Sequence, residues 1–282
     1  MSLLNLPIFQ PKEDGSVLHK SSRTMGITKE MSMKTNLHDI QIVTELSKKF
    51  DQDYWSISVG ENVRRQKIMA SIFGIPLSSE CHVQACCVTL QRIVKVALGY
   101  TPFTSLPFDL QNILLKNNSM LIFSLRLIFM DQRKPGMETL SPHDCEKTKK
   151  LIHEIRSSPD KTSKLKIDYN TKMARFGIKE KTLLERHKLL EARVGERLYI
   201  NPLMTSLISY ILLFSTDIED VHFNEWSRIE KTQETLVLIL QRYIYANCST
   251  DIAYLKFSKI MESLADIREL CHIINDSSIV DK

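Results

Sequence analysis

Glycine and proline are scarce, at 8 and 9 of 282 residues, which disfavours a turn-rich all-β fold. No Gly-rich phosphate loop is present, because the glycines stand alone. No HExxH, GxSxG or kinase-type set occurs, so the common hydrolase, metalloprotease and phosphotransfer chemistries have no sequence basis. The six cysteines, Cys81, Cys86, Cys87, Cys145, Cys248 and Cys271, contain no CxxC pair. Their spacing fits neither a disulfide framework nor a zinc module, and reduced thiols in a cytosolic or nuclear protein follow. Cys86 and Cys87 are consecutive, point about 100° apart on a helix, and are read as core thiols. No cofactor and no metal are expected. His143, Asp144 and Cys145 are neighbours in a loop, not partners assembled in space, and carry no catalytic expectation.

Charge is also unremarkable. The net +5 is far from the basic footprint of a dedicated nucleic-acid binder. The apolar residues near the N-terminus, Leu3, Leu4, Leu6, Ile8 and Phe9, have no basic residue before them and no long apolar core after them, so no secretory signal is read. The charge-free stretch from Leu198 to Thr216 contains Asn201, Pro202 and several hydroxyls. Its dense apolar part, Leu203 to Phe214, is too short to span a bilayer and predicts a buried helix.

What is present is helical patterning around a substantial apolar fraction, 43% of the chain. Residues 1–36 read as a flexible arm. Ile40, Ile42, Val43, Leu46 and Phe50 then recur at helical spacing, and the segment after Asp51 is irregular until Glu80. From Glu80 a long helix places Val83, Cys87, Leu90, Val94 and Ala97 near one face, ending at Gly99 to Pro102. A second helix follows Pro107 and Asp109. Met120 to Met130 is almost wholly apolar, interrupted by Ser124 and Arg126, which predicts a buried helix. Residues 131–181 read as a lysine-rich surface insertion, with a short helix near Leu151 to Ile155 and a strand or turn near Lys166 to Gly177. Helices resume at Lys181. Leu203, Leu207, Tyr210, Ile211 and Phe214 mark one. Ile229, Leu236, Leu240 and Tyr243 mark the next, and Phe257, Ile260, Met261, Leu264, Ile267, Cys271 and Ile274 the last. The fold class is all-α, with nine or ten helices.

Arg126 is the most informative single residue. A guanidinium inside an apolar helix cannot shed its charge, and leaving it unpaired costs several kcal/mol. Backbone carbonyls or a buried carboxylate would satisfy it. So would a polar group on a small apolar ligand in a pocket of Met, Phe, Cys and Leu side chains.

The run TLQRIVKVALGYTPFTSLPFDLQNILLK, Thr89 to Lys116, resembles the signature that joins the third, fourth and fifth helices of nuclear hormone receptor ligand-binding domains. Phe103, Leu106, Gln111, Leu114, Leu115 and Lys116 fall at signature positions, and Leu125-Arg126 keeps step with the branch that includes the vitamin D receptor and the nematode dafachronic-acid receptor. LHDIQIVTELSKKFDQDYW (Leu37 to Trp55) is similar to the first helix, TQETLVLILQRYI (Thr232 to Ile244) to the tenth, and FSKIMESLADIREL (Phe257 to Leu270) to the one after it.

The resemblance implies a three-layer antiparallel helical sandwich with a short β-turn, spanning 37–282. It implies a cavity for a sterol-like or other lipophilic molecule such as a fatty acid, lined by Cys86, Thr89, Met120, Phe123, Arg126 and, more loosely aligned, Asn201. Thr89 and Arg126 would be its polar contacts, although a helix threonine can also bond its own backbone. A coregulator groove would use Gln111 and Lys116 to accept a short amphipathic helix. Gln233, Leu236, Leu240 and Tyr243 would form the surface for a retinoid X receptor-type dimer partner, and the protein would be nuclear and not an enzyme. No paired zinc fingers occur, so no direct DNA binding is expected of this chain, and none of a membrane. After Ile274 only NDSSIVDK remains, with no counterpart of the family's terminal activation helix. Leu98 replaces the coactivator-clamp lysine of the third helix and Leu121 the acidic residue of the fifth. These departures favour an alternative: a ligand-independent dimerisation or corepressor-binding module with a filled pocket.

Overall fold

A computed structural model describes residues 24–73, 77–132, 145–157, 180–198, 202–216 and 223–279. Among them are ten helices and no strand: α1 (Thr24–Trp55), α2 (Glu61–Phe73), α3 (Ser79–Leu98), α4 (Thr101–Thr104), α5 (Phe108–Gln132), α6 (Cys145–Ser157), α7 (Lys181–Leu198), α8 (Pro202–Leu213), α9 (Phe223–Asn247) and α10 (Thr250–Ile279). The all-α class read from the patterning is the observed one.

The centre is α8. Every residue from Met204 to Thr216 is buried, because α1, α5 and α9 all pack around the helix. A helix apolar on all sides has only this place to go. Two of its hydroxyls are met within the helix, Ser206 Oγ donating to Pro202 O at 3.1 Å and Ser209 Oγ to Thr205 O at 2.8 Å, whereas the Tyr210 hydroxyl is buried with no hydrogen-bond partner among the described residues. At its buried C-terminal end Tyr210 O and Leu212 O accept from Phe214 N and Ser215 N, and neighbouring helices supply donors to other carbonyls there. Asn118 Nδ2 on α5 donates to Leu213 O (3.0 Å) and Ser215 O (2.9 Å), and Gln233 Nε2 on α9 donates to Ile211 O at 3.2 Å.

Around this centre, α10 lies along α7 and also meets α5 and α9. The α7–α10 seam is edged by ion pairs: Arg197 with Asp266 (2.8 Å) and Glu262 (3.1 Å), Arg193 with Asp266 (3.4 Å), and Arg186 with Glu269. On the other side α3 joins α1 and α5, and α2 covers α3. The start of α3 is fixed by Ser78, whose hydroxyl accepts from Cys81 N at 3.3 Å, with Glu80 in the first turn. No helix among the described residues is long and apolar enough to cross a membrane.

Several expectations need correction. The first helix begins at Thr24, so the arm read over residues 1–36 is helical in its last part. The segment after Asp51 is not irregular throughout: α2 occupies Glu61–Phe73. Charged residues at its inward positions, Arg64 and Lys67, hide the apolar period. The buried face of α3 is Cys81, Ala85, Arg92, Ile93, Val96 and Ala97, whereas Val83 is 59% exposed and Cys87 is at the surface. Apolarity placed that face wrongly because Arg92 holds an inner position. Within the insertion of 131–181, α6 contains the short helix expected near Leu151. The strand or turn expected near Lys166 to Gly177 lies outside the described residues, as do His143 and Asp144.

Candidate functional site

The middle of α5 is buried from Leu121 to Arg126. Most of that surface is apolar. Ser124 Oγ shares a hydrogen bond with Cys271 Sγ at 3.2 Å, and Cys271 Sγ also reaches Met120 O at 3.2 Å. Arg126 is 3% exposed. Its guanidinium carbon lies 4.4 Å from the Tyr54 ring centre and 5.3 Å from that of Phe50. The two rings come from one face of α1, four residues apart, and stack at 5.7 Å. A cation against desolvated aromatic faces gains about 2 kcal/mol.

Tyr54 meets a second guanidinium. Arg92, on α3 and 1% exposed, lies 5.2 Å from the Tyr54 ring and 4.7 Å from the Trp55 ring, and its Nε donates to Ile57 O at 2.8 Å. Lys67 on α2 is the third cation of this region. Burial, and then the nearby Arg92 charge, push its ammonium down to about 8, with the Cys86 sulfur acting the other way. Burial pushes the Cys86 thiol up while Lys67 opposes that. Lys67, Arg92 and Arg126 thus bring three positive side chains from α2, α3 and α5 into one part of the interior. The Tyr54 hydroxyl there is buried with no hydrogen-bond partner among the described residues.

The residues expected to line a pocket fall in two groups. Cys86 and Thr89 are half-buried on α3; Met120 (half-buried), Phe123 and Arg126 (both buried) sit on α5, and the two helices pack together. Thr89 Oγ1 donates to Ala85 O at 2.9 Å, which is the ordinary use of a helix threonine. Cys86 Sγ lies 3.8 Å from His82 Nε2. Asn201 lies outside the described residues.

Of the expected coregulator residues, Lys116 is exposed, whereas Gln111 Nε2 donates to Leu106 O (2.8 Å) and Thr104 O (3.3 Å) and secures the end of α4. The same neighbourhood presents Leu98, 52% exposed, and Phe108, 74% exposed. The expected dimer residues need correction. Gln233, Leu236, Leu240 and Tyr243 are all buried within the chain, on the side of α9 that faces its neighbours, and cannot meet a partner. The outer side carries Leu238 and Tyr245 instead.

Sequence reasoning missed Lys67, Arg92, Phe50 and Tyr54 as members of the site. The available signal was a charge between apolar residues at helical spacing, as Arg92 is between Val88 and Val96. Elsewhere, an open surface groove of about 550 Å³ lies between α7 and α10, with Ile252 and Leu255 beside Lys256 and Lys259. No group of side chains suited to a metal ion occurs among the described residues. Neither a family model nor a curated protein matches the chain.

Proposed function

We propose that the chain is a ligand-sensing regulatory domain of the nuclear receptor type, taking a sterol-like or other lipophilic molecule and acting in the nucleus. Burial of Arg126 carries this reading. Its permanent charge sits against aromatic faces between apolar helices, where the polar end of a small amphiphile would gain most from it. The Tyr54 hydroxyl offers a second polar contact for the same end. The arrangement is that of a binding site, an apolar surround with a few fixed polar groups that orient a guest.

Coregulator binding would use the surface where α3, α4 and the start of α5 meet. Exposed Leu98 and Phe108 beside Lys95 and Lys116 suit a short amphipathic helix. A retinoid X receptor-type partner would meet the outer side of α9. In this reading the three-layer sandwich is the fold, and α8 lies in its middle layer.

Native mass spectrometry of the purified chain against sterols and fatty acids tests the reading. The expected result is a retained lipophile whose binding weakens in Arg126→Leu. No retained or added lipophile, together with an R126L protein indistinguishable from the parent, would overturn it.

A second reading is a ligand-independent dimerisation or corepressor-binding module with a filled interior. It draws on Thr89, whose hydroxyl is engaged by its own helix. A folded domain that excludes every lipophile but still dimerises or captures a corepressor helix would establish it.

A further inference from the structure

We propose that the open groove between the end of α7 and the first turns of α10 docks an acidic amphipathic helix of a partner protein, its apolar stripe on Ile252 and Leu255 and its carboxylates on Lys256 and Lys259. The surface is distinct from the interior around Arg126 and from the junction of α3, α4 and α5, and it works whether or not the interior holds a guest.

The two helices run antiparallel, because Arg186 meets Glu269 at one end of their seam and Arg197 meets Glu262 at the other. α7 has 18 residues and α10 has 30, about 27 and 45 Å of helix. α7 stops at Leu198, so the first turns of α10 run on beyond it and leave the groove of about 550 Å³. Ile252, Leu255, Lys256 and Lys259 stand at i, i+3, i+4 and i+7, one stripe along α10 that lines this groove. A stripe with that period is matched by a second helix lying alongside, in the line that α7 leaves open.

Ile252 and Leu255 are both more than half exposed. A lone exposed aliphatic side chain is ordinary, but two side by side in a concave surface hold apolar area in water that a partner would cover. The charges select the partner's sign. Four cations line the groove against one carboxylate, that of Glu196. Two of the four are already answered, Arg193 by Asp266 at 3.4 Å and Arg197 by Asp266 at 2.8 Å and Glu262 at 3.1 Å. Lys256 and Lys259 make no ion pair or side-chain hydrogen bond among the described residues. Each follows one of the apolar pair by a single turn, so a helix with carboxylates one turn from its apolar anchors fits both. Exposed ion pairs are individually weak, and here they set sign and orientation while the apolar contact supplies affinity. Glu196 is exposed on the α7 side and repels carboxylates there, which places the partner's acidic edge over α10.

Fluorescence anisotropy on the full chain with three stapled helices of about 12 residues tests this. The first carries Leu at i, i+3, i+4 and i+7 flanked by Glu, the second has Lys for every Glu, and the third keeps Glu but has Ser for every Leu. At low salt the parent is expected to bind the Leu/Glu helix about tenfold more tightly than either control. Lys256→Glu combined with Lys259→Glu should turn the preference toward the Lys helix, and Leu255→Ser should weaken the Leu/Glu helix about tenfold. None of these positions is buried, so folding should persist in both variants. No binding of the Leu/Glu helix by the parent overturns the proposal. So does a preference that K256E/K259E leaves unchanged, because the helix is then held elsewhere. Equal binding of the Ser/Glu helix overturns it too, since a bare electrostatic patch needs no groove. Self-association of the parent, or its sedimentation with phosphatidylserine vesicles, that is lost in K256E/K259E would give the face to a second copy or a lipid surface and overturn it likewise.

Discussion

Replacing Lys67 by Met should stabilise the unliganded protein at neutral pH, and the gain should vanish in alkali. In the folded chain, burial and Arg92 lower the ammonium to about 8, against 10.5 for the free side chain. Below about pH 8 the group is charged in both folded and unfolded states, and the folded state carries the full cost of holding it. Between about 8 and 10.5 it is charged only in the unfolded chain, which then binds more protons, so stability rises with pH. Above that range it is neutral in both, and the cost is gone. A gap of about 2.5 pH units, at 1.36 kcal/mol each, corresponds to about 3 kcal/mol. The partial exposure of the lysine stem makes this an upper bound. Methionine keeps an unbranched apolar stem of similar length and removes only the charge. Urea unfolding followed by circular dichroism at several pH values from 7 to 10.5 measures the effect. Tyrosines, thiols and other lysines titrate in both proteins, so the difference between them isolates Lys67. The reasoning fails if K67M is the less stable protein at pH 7, or if the difference stays constant across the range.

Two other predictions follow from the same interior. Asn118→Leu should cost about 3 kcal/mol in urea unfolding, because it strips the donors from two buried carbonyls at the end of α8; a loss under about 1 kcal/mol would mean those carbonyls find other donors. In the native protein at pH 8, Cys87 should react promptly with Ellman's reagent, while Cys81 and Cys271 should react only on unfolding. Both are buried, and burial pushes the Cys271 thiol up to about 11, so its thiolate is scarce. Equal rates for all three would show that the α2–α3 and α5–α10 contacts both open readily.

The sequence alone determined the helical class, the central helix and the burial of Arg126. In each case the local pattern leaves one outcome. The charge-free stretch of α8 is apolar on every side and must be enclosed, and Arg126 has apolar residues above, below and beside it, so no rotation of α5 brings it to water. Tertiary structure decided the cases in which a helix has two faces. Gln233, Leu236, Leu240 and Tyr243 were legible as one side of a helix. Whether α1 and α8 or a second protein covers that side depends on packing that periodicity does not contain. Arg92 and Lys67 look like solvent-facing charges of amphipathic helices until α2 closes over α3 and turns both inward. The phase of α3, the bonds from Asn118 and Gln233 to α8, and the meeting of Arg92 and Arg126 on the Tyr54 ring all depend on residues far apart in the chain. A one-dimensional pattern records what each residue can tolerate, while the packing of neighbouring helices determines what surrounds it.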